Sequence, residues 1–233
     1  MGDISLVTLL VIGINVLVSW KGFNDISFFE KYKFNVGSIL TRKENYRILS
    51  SGFLHADFTH LFFNMFSLFI FSNIVIDFFA SPKALLFGDY SAYNVNTGYG
   101  MFLLVFLASV IGGNMLTLFM HKNQSYYSAI GASGGVSGIL FAAIAAFPEL
   151  ELRLFFAIPI PAWVFAILYL GYSVYGMKNS IGNIGHSAHL GGAIVGLVSA
   201  IIYFPGLLEY NLVYILLMMV PLAGLGYLMI KNK

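Results

Sequence analysis

The chain has 233 residues, of which 59% are hydrophobic and only 9% are charged, and its mean hydropathy is +0.84. Because a soluble domain carries about 25% charged residues, this composition excludes an ordinary soluble protein and indicates an integral membrane protein. The net charge of +2 is too small to indicate nucleic-acid binding, and the absence of cysteine excludes disulfides, Cys-ligated metals and thiol catalysis.

Continuous apolar runs predict the transmembrane helices, since a helix needs roughly 20 residues to cross a bilayer. The runs do not alternate, so they do not favour membrane strands. The seven predicted spans are residues 4–20, 59–79, 100–120, 131–147, 155–176, 187–204 and 211–230. We therefore predict an all-α polytopic membrane protein. Its six-helix core covers residues 1–204, with a structured first loop at 21–58, and residues 205–233 add a C-terminal transmembrane helix.

Polar side chains occur at the start of the second, fourth and sixth predicted spans. They are His60 with Asn64, then Ser133 within the stretch SAIGASGGVSGIL, then His189. Polar groups inside spans are costly and are therefore functional candidates. Even-numbered spans all enter from the same face, so these groups are expected at similar depth near one side of the membrane. Three helix N-termini around one pocket also favour a developing anion, as acyl transfer requires.

Small residues recur at four-residue intervals in the fourth and sixth spans, which is typical of helices whose backbones approach closely. The pairs are Gly131 with Gly135, Gly134 with Gly138, and Gly192 with Gly196. If the two spans pack through these faces, Ser133 and His189 come within hydrogen-bond reach. A serine beside a neutral imidazole is an activated nucleophile. His60 and Asn64 are also four residues apart, so both side chains are able to reach one oxygen.

Four short motifs contain or precede these residues: YR at 46–47, HLFFN at 60–64, GASG at 131–134 and AHLGGAIVG at 188–196. In this combination and order they resemble the motifs of the rhomboid intramembrane serine proteases. His55 is similar to a further histidine that structures the first loop of that family. The resemblance extends over the six-span core.

The resemblance implies a serine endopeptidase that cleaves transmembrane helices of membrane proteins within the lipid bilayer. Ser133 is the expected nucleophile and His189 the expected general base. The side chains of His60 and Asn64 and the backbone N–H of Ser133 are the expected oxyanion hole. No cofactor, metal or nucleic acid is implied. Structural roles are expected for Gly131, Gly134, Gly192, Gly196, His55 and Arg47.

The sequence departs from the family at Ser137, four residues after the expected nucleophile. Many members have an aromatic side chain at that position, which packs on the imidazole of the general base. Another aromatic side chain would therefore have to support His189 in this chain.

The fifth predicted span is a candidate lateral gate for a substrate helix. Pro159 and Pro161 are expected to weaken this helix, because proline removes a backbone donor. Phe155, Phe156 and Trp163 are the expected plug of the opening.

The loops on the predicted active-site face carry most of the basic residues, whereas the opposite face has only Lys83 and Arg153. The basic residues of the active-site face are Lys21, Lys31, Lys33, Arg42, Lys43, Arg47, Lys122 and Lys178. The positive-inside rule would place this face toward the cytoplasm. The resemblance implies instead a bacterial-type plasma membrane with an extracytoplasmic site. We expect the latter, because a folded first loop can need its charges for structure.

Two other functions stay open from the sequence alone. A membrane metal- or haem-binding protein is one, since histidine is a common ligand and the chain has His55, His60, His186 and His189 near the predicted face. A Soret band or stoichiometric metal in the purified protein would favour it. The other is an inactive rhomboid-like protein that binds membrane helices without cleaving them, although the presence of both Ser133 and His189 argues against it.

Overall fold

The computed structural model describes residues 4–154, 157–179 and 185–231. In chain order, its elements are α1 (Leu6–Asn24), α2 (Ile26–Tyr32), β1 (Phe34–Asn35), α3 (Val36–Arg42), α4 (Arg47–Ser50), a 3-10 turn (Ser51–Phe53), α5 (Phe58–Ala80), α6 (Pro82–Phe87), α7 (Val95–His121), β2 (Ser128–Ala129), α8 (Ser133–Ala146), β3 (Glu151–Leu154), β4 (Ile158–Pro161), α9 (Ala162–Asn179), α10 (His186–Tyr203), α11 (Leu207–Tyr210) and α12 (Leu212–Lys231). The predicted helical membrane protein is confirmed, with short strand pairs added in two of its loops.

Four helices in the described part of the chain are long and apolar enough to cross a membrane, namely α1, α5, α7 and α10. Helix α8 has 14 residues and is therefore about 21 Å long, which is shorter than the roughly 30 Å of bilayer hydrocarbon. It lies among α5, α7 and α10, and nearly all of its side chains are buried. Because protein rather than lipid surrounds α8, its ends need not reach the membrane surfaces.

Helices α8 and α10 touch through their glycines. A Cβ atom added at Gly192 would overlap the backbone of Gly134, and one added at Gly196 would overlap the backbone of Gly138. The close approach that the four-residue spacing predicts is therefore present. It fixes the first turn of α8 against the first turns of α10.

The first loop is structured, and it is tied to the segment that enters α8. Arg47 is buried and donates hydrogen bonds of 2.8 Å to the carbonyl oxygens of both Glu30 and Lys33. Strand β1 pairs antiparallel with β2, with Asn35 opposite Ser128. The folded loop thereby holds the chain that precedes Ser133.

The predicted start of the fifth span is wrong. Strands β3 and β4 form an antiparallel hairpin in which Arg153 is paired with Pro159, and α9 begins only at Ala162. Proline lacks a backbone donor, and this hairpin consists of two edge strands, where proline is tolerated. Pro159 and Pro161 therefore do not interrupt the fifth helix, and the weakening expected from them is wrong. Phe155 and Phe156 of the expected plug lie outside the described residues.

Helix α12 packs along α9 on the outside of the bundle. The rings of Trp163 in α9 and Tyr214 in α12 lie 6.1 Å apart. Just before α12, Asn211 donates hydrogen bonds of 2.9 Å and 3.2 Å to the carbonyl oxygens of Ala145 and Ala146. These carbonyls have no partner within α8 because they lie in its last turn, so Asn211 caps that helix.

Candidate active site

The polar residues singled out from the sequence all lie at one end of the bundle, in the first turns of their helices. Ser133 is the first residue of α8, His189 is in the first turn of α10, and His60 and Asn64 are in the first two turns of α5. Each of these four residues except the buried Asn64 is partly exposed. The candidate site is therefore partly exposed and lies at the end where the three helices begin.

The contact between α8 and α10 lies beside Ser133 and His189. A Cβ atom added at Gly134 would lie 3.3 Å from the backbone oxygen of Ala188, so the residues next to the two candidates meet directly. Within the described part of the chain, Ser133 Oγ and His189 are not hydrogen-bonded to each other. Catalytic hydrogen bonds commonly tighten only when substrate is bound.

Gly131 brings the ring of His60 next to Ser133. Its φ angle is +121°, a conformation that L side chains rarely adopt. A Cβ atom at Gly131 would also lie 2.8 Å from the imidazole of His60 and 3.8 Å from Ser133 Oγ. Both the backbone conformation and the space therefore require glycine here, and the imidazole lies on the same side of the loop as the serine hydroxyl.

Asn64 lies one helical turn after His60 and is buried. Its amide donates a hydrogen bond of 2.9 Å to the carbonyl oxygen of His60. An amide nitrogen carries two donors, so the second N–H of Asn64 remains available for another acceptor. His60 and Asn64 thus share one face of α5, as their spacing predicts.

His55 connects α1 to the residue that precedes Ser133. Its Nε2 accepts a hydrogen bond of 3.4 Å from the backbone N–H of Ala132, and its Nδ1 lies 2.8 Å from Ser19 Oγ. Since Nε2 accepts, the proton of the neutral ring is on Nδ1, which donates to Ser19. Burial, and then the nearby ring of His60, lowers the pKa of His55 to about 3. His55 is therefore a neutral bridge outside the membrane-spanning helices.

An aromatic side chain that the sequence did not identify packs on the imidazole of His189. The ring of Tyr169 in α9 is stacked on it, with centroids 5.6 Å apart and planes 26° apart. The hydroxyl of Tyr169 lies 2.5 Å from Ser137 Oγ, which donates a hydrogen bond of 2.7 Å to the carbonyl oxygen of Ser133. The absence of an aromatic at position 137 signalled that a substitute was needed. No spacing rule could locate it, because Tyr169 and Ser137 are 32 residues apart on different helices.

The chain also matches known proteins. A family model described as "Rhomboid domain" matches residues 42–206, which is well over half of the chain. The chain belongs to the rhomboid family. The match confirms the resemblance and includes α5, α8, α9 and α10, which build the candidate site.

Two curated relatives of this rhomboid chain are both named as mitochondrial. RHOMBOID-like protein 12, mitochondrial, from Arabidopsis thaliana is 26% identical over 212 residues, which cover 82% of this chain and 56% of the relative. Rhomboid protein 1, mitochondrial, from Saccharomyces cerevisiae is 28% identical over 195 residues, which cover 81% of this chain and 50% of the relative. The chain thus spans about half the length of these relatives. They support an integral membrane protein but give no support to the expected bacterial-type plasma membrane.

The histidines of this rhomboid chain are not arranged as a metal site in the part that the structure describes. No group of three or more His, Asp or Glu side chains there is placed to hold a metal ion. The ring centroids of His55 and His60 are 5.0 Å apart, and those of His186 and His189 are 6.4 Å apart. The described geometry therefore gives no specific support to a metal-binding function.

Proposed function

We propose that this member of the rhomboid family is an intramembrane serine endopeptidase that works through Ser133 and His189. The observation that carries the proposal is the meeting of the starts of α8 and α10 through Gly134 and Ala188, beside the ring of His60. A hydroxyl, an imidazole and further donors at one accessible helix end are the groups that acyl transfer needs.

In the proposed reaction His189 takes the proton of Ser133 Oγ, whose oxygen attacks a peptide carbonyl carbon of the substrate. The carbonyl becomes a tetrahedral oxyanion, which accepts hydrogen bonds from His60, Asn64 and the backbone N–H of Ser133. Because Ser133 is the first residue of α8, this N–H has no partner within the helix, and the helix dipole favours the negative charge. His189 then protonates the leaving amine, and water releases the acyl group from Ser133.

The proposed substrate is a transmembrane helix of another membrane protein. A helix hides its carbonyl groups in its own hydrogen bonds, so the cleaved stretch has to unwind before Ser133 can attack. Glycine, proline and polar residues near the end of a span make unwinding easier. Helix α9 lies at the edge of the bundle, with Leu168, Tyr172 and Tyr175 about half exposed, and is the proposed side of entry.

We expect labelling by a fluorophosphonate to test this function directly. The wild type should be labelled, whereas Ser133→Ala should not be labelled and His189→Ala should lose at least ~100-fold in rate, because the base contributes that much or more. The measurement is the rate of covalent labelling of purified protein in detergent. Equal labelling of all three proteins would rule out the dyad.

The same preparation separates the other functions. A wild type that binds a model transmembrane helix without labelling or cleavage would identify an inactive rhomboid-like binder. A Soret band or stoichiometric metal would favour the histidine-ligated alternative. A model transmembrane substrate in liposomes then reports the cleavage itself.

A further inference from the structure

The ring of Tyr169 contacts three other rings within the site. Its ring is stacked on His189 at 5.6 Å and on Phe165 at 5.9 Å, and Phe141 of α8 lies 5.8 Å away at an angle of 51°. Stacked and tilted ring pairs at these distances are attractive beyond their area of burial. One face of the His189 imidazole therefore packs on the Tyr169 ring, which is in turn held in place by Phe165 and Phe141.

The hydroxyl of Tyr169 is the donor in its contact with Ser137 Oγ. Ser137 Oγ has one proton, and it donates that proton to the carbonyl oxygen of Ser133. The 2.5 Å contact between the two hydroxyls is then a hydrogen bond from Tyr169 to Ser137. Tyr169 thus touches the general base with its ring and the turn of the nucleophile with its hydroxyl.

We propose that Tyr169 is the positioning residue for His189, and that its place on α9 makes the orientation of the general base depend on where α9 lies. The inference rests on the proposed function and deepens it. Ser133 and His189 belong to α8 and α10, whose backbones are in contact through Gly134 and Gly192. Tyr169 belongs to the helix at the edge of the bundle, so it is the part of the site that moves if α9 moves.

This arrangement couples substrate entry to catalytic competence. An outward displacement of α9 breaks the Tyr169 ring contact and the hydroxyl contact together, while the α8–α10 contact is unaffected. The imidazole of His189 then loses the ring that sets its plane. The base is therefore oriented only when α9 has returned, which delays attack by Ser133 until an entering helix has been enclosed.

Three matched variants test the positioning role through the rate of fluorophosphonate labelling. Tyr169→Leu removes the ring and should slow labelling by at least ~10-fold, because base catalysis depends on orientation. Tyr169→Phe keeps the ring and should restore the rate to within ~3-fold of the wild type. Tyr90→Leu changes an exposed tyrosine in the loop between α6 and α7 and should have no effect. Wild-type labelling of Tyr169→Leu, with an unchanged melting temperature, would overturn the proposal.

Histidine NMR tests the placement independently of activity. The stacked ring should shift a His189 ring proton upfield, assigned by its loss in His189→Gln. The shift should persist in Tyr169→Phe and vanish in Tyr169→Leu, and a signal that is unchanged in Tyr169→Leu would overturn the proposal. A wild type that shows the shift but is never labelled would instead overturn the proposed function.

The dependence on α9 requires one further comparison. Trp163→Ala removes the ring contact between α9 and α12, and it should slow labelling in the wild type. In the Tyr169→Leu background the same change should add nothing, since both act through one contact. Unchanged labelling in Trp163→Ala alone, or additive slowing in the double variant, would overturn the dependence on α9.

Discussion

At the scale of single residues, His55 is a buried histidine that the proposed reaction does not use. It has no exposed surface and bridges Ser19 to the backbone N–H of Ala132 in its neutral form. Protonation would place a second proton on Nε2, the atom that accepts from Ala132. The bridge between the first loop and the residue before Ser133 therefore exists only while His55 is neutral.

We expect acid to weaken this bridge at pH values well above the pKa that His55 has in the folded loop. When the first loop opens, His55 binds a proton once the pH is below about 6.5, its ordinary pKa. In the folded loop, the pKa of His55 is about 3. The free energy of opening should therefore fall as the pH drops from about 6.5 toward 3, by up to ~1.4 kcal/mol per pH unit. Limited proteolysis of the first loop as a function of pH measures it. His55→Asn, which does not titrate, should flatten the dependence, and an equally steep dependence in that variant would assign the effect to another group.

At the scale of helices, the site depends on the contact between α8 and α10. Gly134 and Gly138 meet Gly192 and Gly196 with no room for a side chain. Gly134 directly follows Ser133, so any separation of the two backbones displaces the proposed nucleophile from the proposed base. The closeness of Ser133 and His189 that the proposed reaction requires therefore depends on this helix pair.

Gly192→Ala should destabilise the protein by about 1–3 kcal/mol and abolish most labelling, because the new methyl group overlaps the backbone of Gly134. Thermal unfolding in detergent and the labelling rate measure the two effects. Gly13→Ala is the matched control: nothing lies within 4 Å of an added Cβ in α1, so that change should be neutral or stabilise by up to ~1 kcal/mol. A wild-type melting temperature for Gly192→Ala would contradict the tight contact.

At the scale of the whole molecule, the two ends of the bundle carry opposite charge. The described acidic residues of the opposite face are Asp77, Asp89, Glu149, Glu151 and Glu209. Much of the basic charge of the active-site face belongs to ion pairs of the first loop, such as Lys21 with Asp25 at 2.9 Å and Lys33 with Glu30 at 2.7 Å. Arg42 and Arg47 both pair with Glu44. These charges have a structural use, so their location is a weaker guide to orientation than unpaired charges would be.

We predict that the active-site face is extracytoplasmic, as the resemblance to the family implies. Helix α12 begins beside the end of α8 and runs toward the active-site face. A reporter fused after Lys233 therefore shows on which side of the membrane the site lies. In a bacterial host, alkaline phosphatase fused there should be active and a fluorescent protein fused there dark. A reporter at the N-terminus should give the opposite result. The reverse pattern would place the site toward the cytoplasm, and agreement between the two ends would give an even number of spans.

The sequence by itself determined the membrane class, the approximate position of each long helix, and the four residues proposed to carry the reaction. These follow from local quantities: the length of an apolar run, the cost of a polar group within it, and the spacing of residues on one helix face. Only the tertiary structure decided that Tyr169 supports His189, that Arg47 holds two carbonyls of the first loop, and that Pro159 and Pro161 lie in a hairpin. Each of these depends on which segments become neighbours, and the periodicity of a single helix does not contain that information.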